Sequence, residues 1–148
     1  MSGMDGPTMA RLHAAALAAS DHAHAPYSHF HVGAAVLLTD GSVVTAANME
    51  NASYGLSLCA EAVALATVNS AGRLTDVVAL LVTGGHAGAI GAGEPVTPCG
   101  RCRQLVAEVA QVSGRDVLVA ATDRSGTRAI VHPASGWLPH AFSLTVPA

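Results

Sequence analysis

Apolar residues recur along this chain in two rhythms, one helical and one alternating, and the switches between them outline its elements. From Thr8 to about Ala23, Met9, Leu12, Ala16 and Leu17 fall on one helical stripe. This predicts an Ala-rich first helix with Thr8 as N-cap and Pro26 as its stop. Two β-like runs follow, Val32–Thr39 and Ser42–Asn48, joined by Asp40-Gly41, a dipeptide that favours a hairpin turn. Asn51–Leu58 reads as a loop of small polar residues, and Cys59–Ser70 as an Ala/Val/Leu helix closing at Gly72. The apolar run within Asp76–Thr83 fits a buried strand. Gly84–Pro98, with five Gly and two Pro, reads as a long loop. Cys99–Val112 is a further helix with Gly114 as its C-cap. Val117–Thr122 and Thr127–Val131 are strands around an Asp123–Gly126 turn, and Pro133–Ala148 reads as an irregular tail. The order α-β-β-α-β-α-β-β predicts an α/β fold: a three-layer α/β/α sandwich around a mixed five-stranded sheet, one domain over residues 1–148.

Composition narrows the classes open to such a domain. Of 148 residues 51 % are hydrophobic, mostly Ala, Val and Leu, so the core is expected to be built from small side chains at close spacing. The net charge is −3, all seven basic residues are Arg, and aromatics make up 3 %. No basic run is present to neutralise a phosphate backbone and little is present to stack bases on, which argues against nucleic acid as partner. No apolar stretch reaches the roughly 18–20 residues of a membrane span. Met1 to Thr8 carry no charged and apolar leader pattern. Three Cys is an odd number, which favours reduced thiols and a cytoplasmic location over a disulfide framework.

Candidate chemistry lies in those cysteines. Cys59-Ala60-Glu61 and Pro98-Cys99-Gly100-Arg101-Cys102 each open a predicted helix. A CxxC at a helix start places two sulfurs about one turn apart, and the N–H groups and dipole there favour thiolate. Three thiols leave the fourth position of a zinc ion to water, whereas structural sites use four protein ligands. Zinc acidifies that water towards neutrality, and the Glu61 carboxylate, two residues from a ligand, is placed to move its proton. Cys-x-Glu followed by Pro-Cys-x-x-Cys is the pattern of zinc nucleobase deaminases. A redox CxxC, or a structural zinc with a His as fourth ligand, uses some of the same residues. His22/His24 and His29/His31 have i,i+2 spacing but no Cys or acidic partner alongside, so they read as solvent-facing or locally bonded.

From Pro26 to Phe142 the chain resembles the small, homotetrameric cytidine deaminases. The resemblance rests on five motifs in order: Pro26-Tyr27-Ser28-His29-Phe30-His31-Val32-Gly33-Ala34-Ala35, Asn48-Met49-Glu50-Asn51-Ala52-Ser53-Tyr54, Cys59-Ala60-Glu61, Pro98-Cys99-Gly100-Arg101-Cys102-Arg103-Gln104 and Leu138-Pro139-His140-Ala141-Phe142. It implies one Zn²⁺ per subunit on Cys59, Cys99 and Cys102, with Glu61 as proton shuttle. It also implies Asn48 and Glu50 on the ribose hydroxyls, Phe30 against the nucleoside, the Ala60 backbone at the base edge and Phe142 over the pyrimidine of a neighbouring subunit. Ordinary packing is the competing role for Phe30 and Phe142, strand-end capping for Asn48 and Glu50, and a subunit contact for Tyr54.

The resemblance thus implies zinc-dependent hydrolysis of cytidine, and of 2′-deoxycytidine, to uridine or deoxyuridine and ammonia in pyrimidine salvage, in a cytoplasmic homotetramer with shared sites. One position departs from the pattern: Ala62 stands where many members carry an Arg that offsets the thiolate charge. Helix N–H groups, with Arg101 or Arg103 against a ligand sulfur, are the expected substitutes. Cys-Ala-Glu-Ala also occurs in blasticidin S deaminases, which makes blasticidin S or a modified cytosine the alternative substrate.

Overall fold

Alternation along the first strand decides how the layers stack. The computed structural model describes residues 4–89 and 91–145. In β1 (Phe30–Leu38) the residues Ala34, Val36 and Leu38 belong to one core cluster, Ala35 and Leu37 to another. Side chains of a strand point alternately to its two faces, so each cluster fills one side of the sheet. On one side lies α1 (Gly6–Ser20), which inserts Leu12 and Ala16 against Ala35, Leu37, Leu81 and Ala120. On the other lie α2 (Ala60–Ser70), α3 (Gly100–Ser113) and the short α4 (Ala134–Trp137). The remaining strands are β2 (Val43–Ala47), β3 (Val77–His86), β4 (Leu118–Thr122) and β5 (Ala129–Pro133).

The sheet order is β2-β1-β3-β4-β5. Only β3 and β4 run parallel, with α3 as their crossover; the other pairs are antiparallel. This is the mixed five-stranded, three-layer α/β/α architecture that the element order implies. Because α2 and α3 share one face, their N-termini, which carry the cysteines, can meet.

Several boundaries differ from expectation, each for a local reason. Asp5, not Thr8, caps α1: its carboxylate accepts the Thr8 N–H at 2.8 Å, and the helix ends at Ser20 rather than near Ala23. β1 begins at Phe30, two residues earlier than the pattern suggests. Correspondingly, β3 runs through Gly84 and Gly85 to His86, because Phe30 pairs with His86, His31 with Gly85 and Val32 with Gly84. Glycine suits this stretch, since a Cβ on Gly84 would lie 2.4 Å from the His31 carbonyl oxygen. The last strand is shifted to Ala129–Pro133. The tail is not wholly irregular: α4 forms where the Asp116 carboxylate accepts the Ser135 N–H at 3.0 Å.

Candidate active site

Cys59 and Cys99 are the N-cap residues of α2 and α3, each in extended backbone geometry with its side chain making no capping bond. Both sulfurs are therefore free to face one another, and their Sγ atoms are 3.7 Å apart. Cys102, in the first turn of α3, is buried and completes the group: all three Sγ atoms lie within 4.8 Å of one another. A four-coordinate zinc with Zn–S bonds near 2.3 Å holds its sulfurs about 3.8 Å apart, so this triangle fits that ion. Among the described residues no His, Asp or Glu joins the three as a clustered ligand. The thiols are unpaired by disulfide.

Glu61, in the first turn of α2, is only 4 % exposed, and its Oε2 accepts from the Cys102 thiol at 3.7 Å. Burial, reinforced by the neighbouring Cys59, pushes its carboxyl up to about 7. Among the protein groups alone, hydrogen bonding from Cys102 draws the Cys59 thiol down to about 6 against the opposing effect of burial; Cys99 and the charge of Arg101 act in the same direction. The same bond to Cys59, together with burial and Glu61, pushes the Cys102 thiol up.

A cavity of about 250 Å³ opens beside this group. It is lined by Cys59, Ala60, Glu61 and Cys99 together with Asn48 and Glu50. Asn48 follows β2, and its Oδ1 accepts the Val32 N–H at 2.9 Å while its Nδ2 donates to the Phe30 carbonyl at 3.0 Å. One lone pair and one N–H of the amide remain for a ligand. Glu50 Oε1 accepts the N–H groups of Tyr27 and Ser28, which leaves Oε2 free. The Ser28 hydroxyl, ahead of these N–H groups, holds the carboxyl below its usual range. Strand-end capping and cavity lining thus coexist in both residues.

Residues 8–118 match the family described as the cytidine and deoxycytidylate deaminase zinc-binding region. The chain belongs to this family. A cytidine deaminase of Halalkalibacterium halodurans is 51 % identical over 94 residues, which cover 64 % of this chain and 66 % of that protein. One of Mycobacterium tuberculosis is 48 % identical over 86 residues, 58 % of this chain and 59 % of the relative. The chain thus spans less than two thirds of the length of these first curated relatives. Similarity to solved structures is longer: the cytidine deaminase of Burkholderia pseudomallei has 39 % identity and a TM-score of 0.77 over 90 % of this chain and 98 % of its own. With the family's zinc-binding region and the sulfur triangle together, Cys59, Cys99 and Cys102 are placed to hold Zn²⁺.

Two aromatic candidates lie elsewhere in the single chain. Phe30 faces a neighbouring cavity and packs edge-on against His86, with ring centroids 5.2 Å apart. Phe142 is 71 % exposed, its carbonyl accepting from Gln104 Nε2 at 2.8 Å. The Arg–sulfur contact expected to replace the missing Arg is not formed among the described residues. Arg103 instead donates to the carbonyls of Pro98 and Trp137, and Arg101 acts on Cys59 only through its charge. Ala62 lines a separate groove between α2 and α3. His22, His24 and His29 are exposed, and no clustered metal site forms around them among the described residues. Val32, Ser57, Leu58, Val96 and Thr97 line the cavity as well, outside the candidates named from the sequence. Of these, only Val32 had a signal, lying in a β-like run and inside the first of the five motifs.

Proposed function

We propose that this protein hydrolyses cytidine and 2′-deoxycytidine to uridine or deoxyuridine and ammonia, as a pyrimidine-salvage enzyme of the cytoplasm. The observation that carries this reading is one cavity lined by Cys59 and Cys99 of the three-thiol group, the buried Glu61 carboxylate, and the polar side chains of Asn48 and Glu50. The names of the relatives support the substrate. Zinc on Cys59, Cys99 and Cys102 would supply an acidified water as nucleophile towards C4 of the pyrimidine. Glu61 takes a proton from the attacking water and delivers it to N3, then takes the proton of the new C4 hydroxyl and gives it to the departing amine as the C4–N bond breaks. Water supplies the oxygen at C4, and the exocyclic nitrogen leaves as ammonia. The Ala60 backbone meets the base edge. Asn48 and Glu50 Oε2 bind ribose hydroxyls, and neither position selects for the 2′-hydroxyl, so both sugars are accepted. Among the described residues no Arg lines the cavities beside Glu50, whose charge disfavours a 5′-phosphate. Phe30 packs near the nucleoside, and Phe142 of a neighbouring subunit covers the pyrimidine in a homotetramer.

The test follows cytidine absorbance with zinc-loaded protein, beside Glu61→Gln and with blasticidin S in parallel. Wild-type protein should consume cytidine with release of ammonia, while Glu61→Gln keeps its zinc and loses about 10²–10⁴-fold in rate. Turnover of blasticidin S alone would preserve the metal and Glu61 roles but overturn the ribose assignment. An unimpaired Glu61→Gln would overturn the proton pathway.

A further inference from the structure

The ligand most in need of external support is Cys99, which is exposed, whereas Cys102 is buried and Cys59 half-buried. Its sulfur direction depends on the two peptide planes that meet at its Cα. Arg103 engages both. Its backbone N–H donates to the Cys99 carbonyl at 2.9 Å, the first hydrogen bond of α3, and its side-chain Nε donates to the Pro98 carbonyl at 2.8 Å. With both flanking carbonyls held, φ and ψ of Cys99 are fixed near −67° and 167°, and only χ1 remains to aim the sulfur.

The guanidinium is itself held at its far end. Its Nη1 donates to the Trp137 carbonyl at 3.2 Å, and its central carbon lies 5.0 Å from the Trp137 ring centroid, within cation–π range. The indole N–H is bonded to the Val119 carbonyl of β4 at 3.0 Å, and His132 of β5 packs edge-on against the ring. A continuous set of contacts therefore joins the sheet to the ligand backbone through one planar, forked side chain. We propose that Arg103, seated on Trp137, is the positioning residue for the zinc ligand Cys99, and that its fork geometry rather than its charge does this.

The inference rests on the zinc site described above, and a wild-type protein that takes up no zinc overturns that site first. Zinc-loaded wild type, Arg103→Gln and Arg103→Lys are compared for zinc transfer to a chromogenic chelator and for kcat and KM. Partners that orient metal ligands are worth about 10–100-fold in affinity or activity. Both variants should therefore release zinc about 10–100-fold faster and lose kcat, with KM changed by less than about twofold. Lysine keeps the charge but lacks the planar fork whose Nε and Nη1 donate to the Pro98 and Trp137 carbonyls. A Lys variant matching wild type while the Gln variant fails would make charge the operative property and overturn the proposal, as would wild-type zinc retention by Arg103→Gln. Trp137 is the only tryptophan in the chain, so its fluorescence reports on the same contacts. In unmodified protein, stripping zinc should shift its emission; an unchanged spectrum overturns the coupling even if no Arg103 variant folds.

Discussion

Asp123 is a buried carboxylate outside the metal site that holds the loop leading to Cys99. Its oxygens accept the N–H groups of Gly93 at 3.3 Å, Ser125 at 3.2 Å and Arg128 at 2.7 Å, and also bond the Ser125 hydroxyl. One residue therefore ties the β4–β5 turn to the loop that leads to Cys99. Burial pushes this carboxyl up, but the hydrogen bonds from Ser125, Arg128 and Gly93 together outweigh it and hold it at about 2. A depressed folded-state value stabilises the fold above the ordinary pKa near 3.8 and loses that contribution as pH falls towards 2. Asp123→Asn should lower stability at pH 7 by about 2 kcal/mol, the scale of hydrogen bonds to a charged group. It should also flatten the decline of stability between pH 4 and 2, measured by urea unfolding. A variant as stable as wild type with an unchanged acid profile would show that the ionised carboxylate carries no such role.

Among the elements, the contact of α1 with the sheet is the most sharply constrained. A Cβ on Gly33 of β1 would lie 1.8 Å from the Ala16 carbonyl oxygen and 2.9 Å from the Ser20 nitrogen, both backbone atoms. The helix cannot yield at one point without moving Leu12 and Ala16 out of their cluster with Ala35 and Leu81. Overpacking of this kind costs about 1–3 kcal/mol, and more against backbone. Gly33→Ala should therefore destabilise by about 3 kcal/mol in chemical denaturation, whereas Gly55→Ala, with open space around its Cα, should change little. Equal stabilities of the two variants would contradict the close α1–β1 approach. Helices α2 and α3 and strand β2 were legible in the chain because their signals are local: an Ala/Val/Leu run closing at Gly72, a hairpin dipeptide, Gly114 with φ 68° as a left-handed cap. The α1 cap and α4 were not. Asp5 precedes the apolar pattern that drew attention to Thr8, and the carboxylate that supports α4 comes from Asp116, 19 residues away.

In the molecule as a whole, no aromatic side chain among the described residues lines the metal-site cavity of one chain. Tyr27, Met49, Tyr54 and Leu56 are exposed nearby, with the Tyr27 and Tyr54 rings 5.7 Å apart, and Phe142 and Leu144 are exposed at the other end of the chain. Gln104 and Gln111 of α3 hold the carbonyls of Phe142 and Leu144 at 2.8 and 2.6 Å, so the tail is anchored while its side chains remain outward. The proposed tetramer would stack Phe142 on a neighbour's pyrimidine. Stacking of a base on an aromatic ring is worth about 1–3 kcal/mol. Phe142→Ala should therefore raise KM for cytidine about tenfold while zinc content holds, and light scattering of the wild type should report four copies. A fully active monomer, or an unchanged KM in Phe142→Ala, would remove the shared-site reading.

Features of this protein that depend on neighbours along the chain are written into its residue order. Hydrophobic period and turn residues set the order of strands and helices, and Cys59, Glu61, Cys99 and Cys102 carried their chemistry in their spacing. Tertiary structure alone decided how groups distant in sequence face one another. It brought Cys59 and Cys99, 40 residues apart, to 3.7 Å. It also turned Arg103 away from sulfur towards Pro98 and Trp137, and put Phe30 beside His86 rather than on the wall of the metal cavity. The physical reason is that a motif specifies which atoms can donate, accept or coordinate, whereas their directions follow from the packing of whole elements. A long, flexible arginine has several acceptors within reach, and only the assembled fold selects among them.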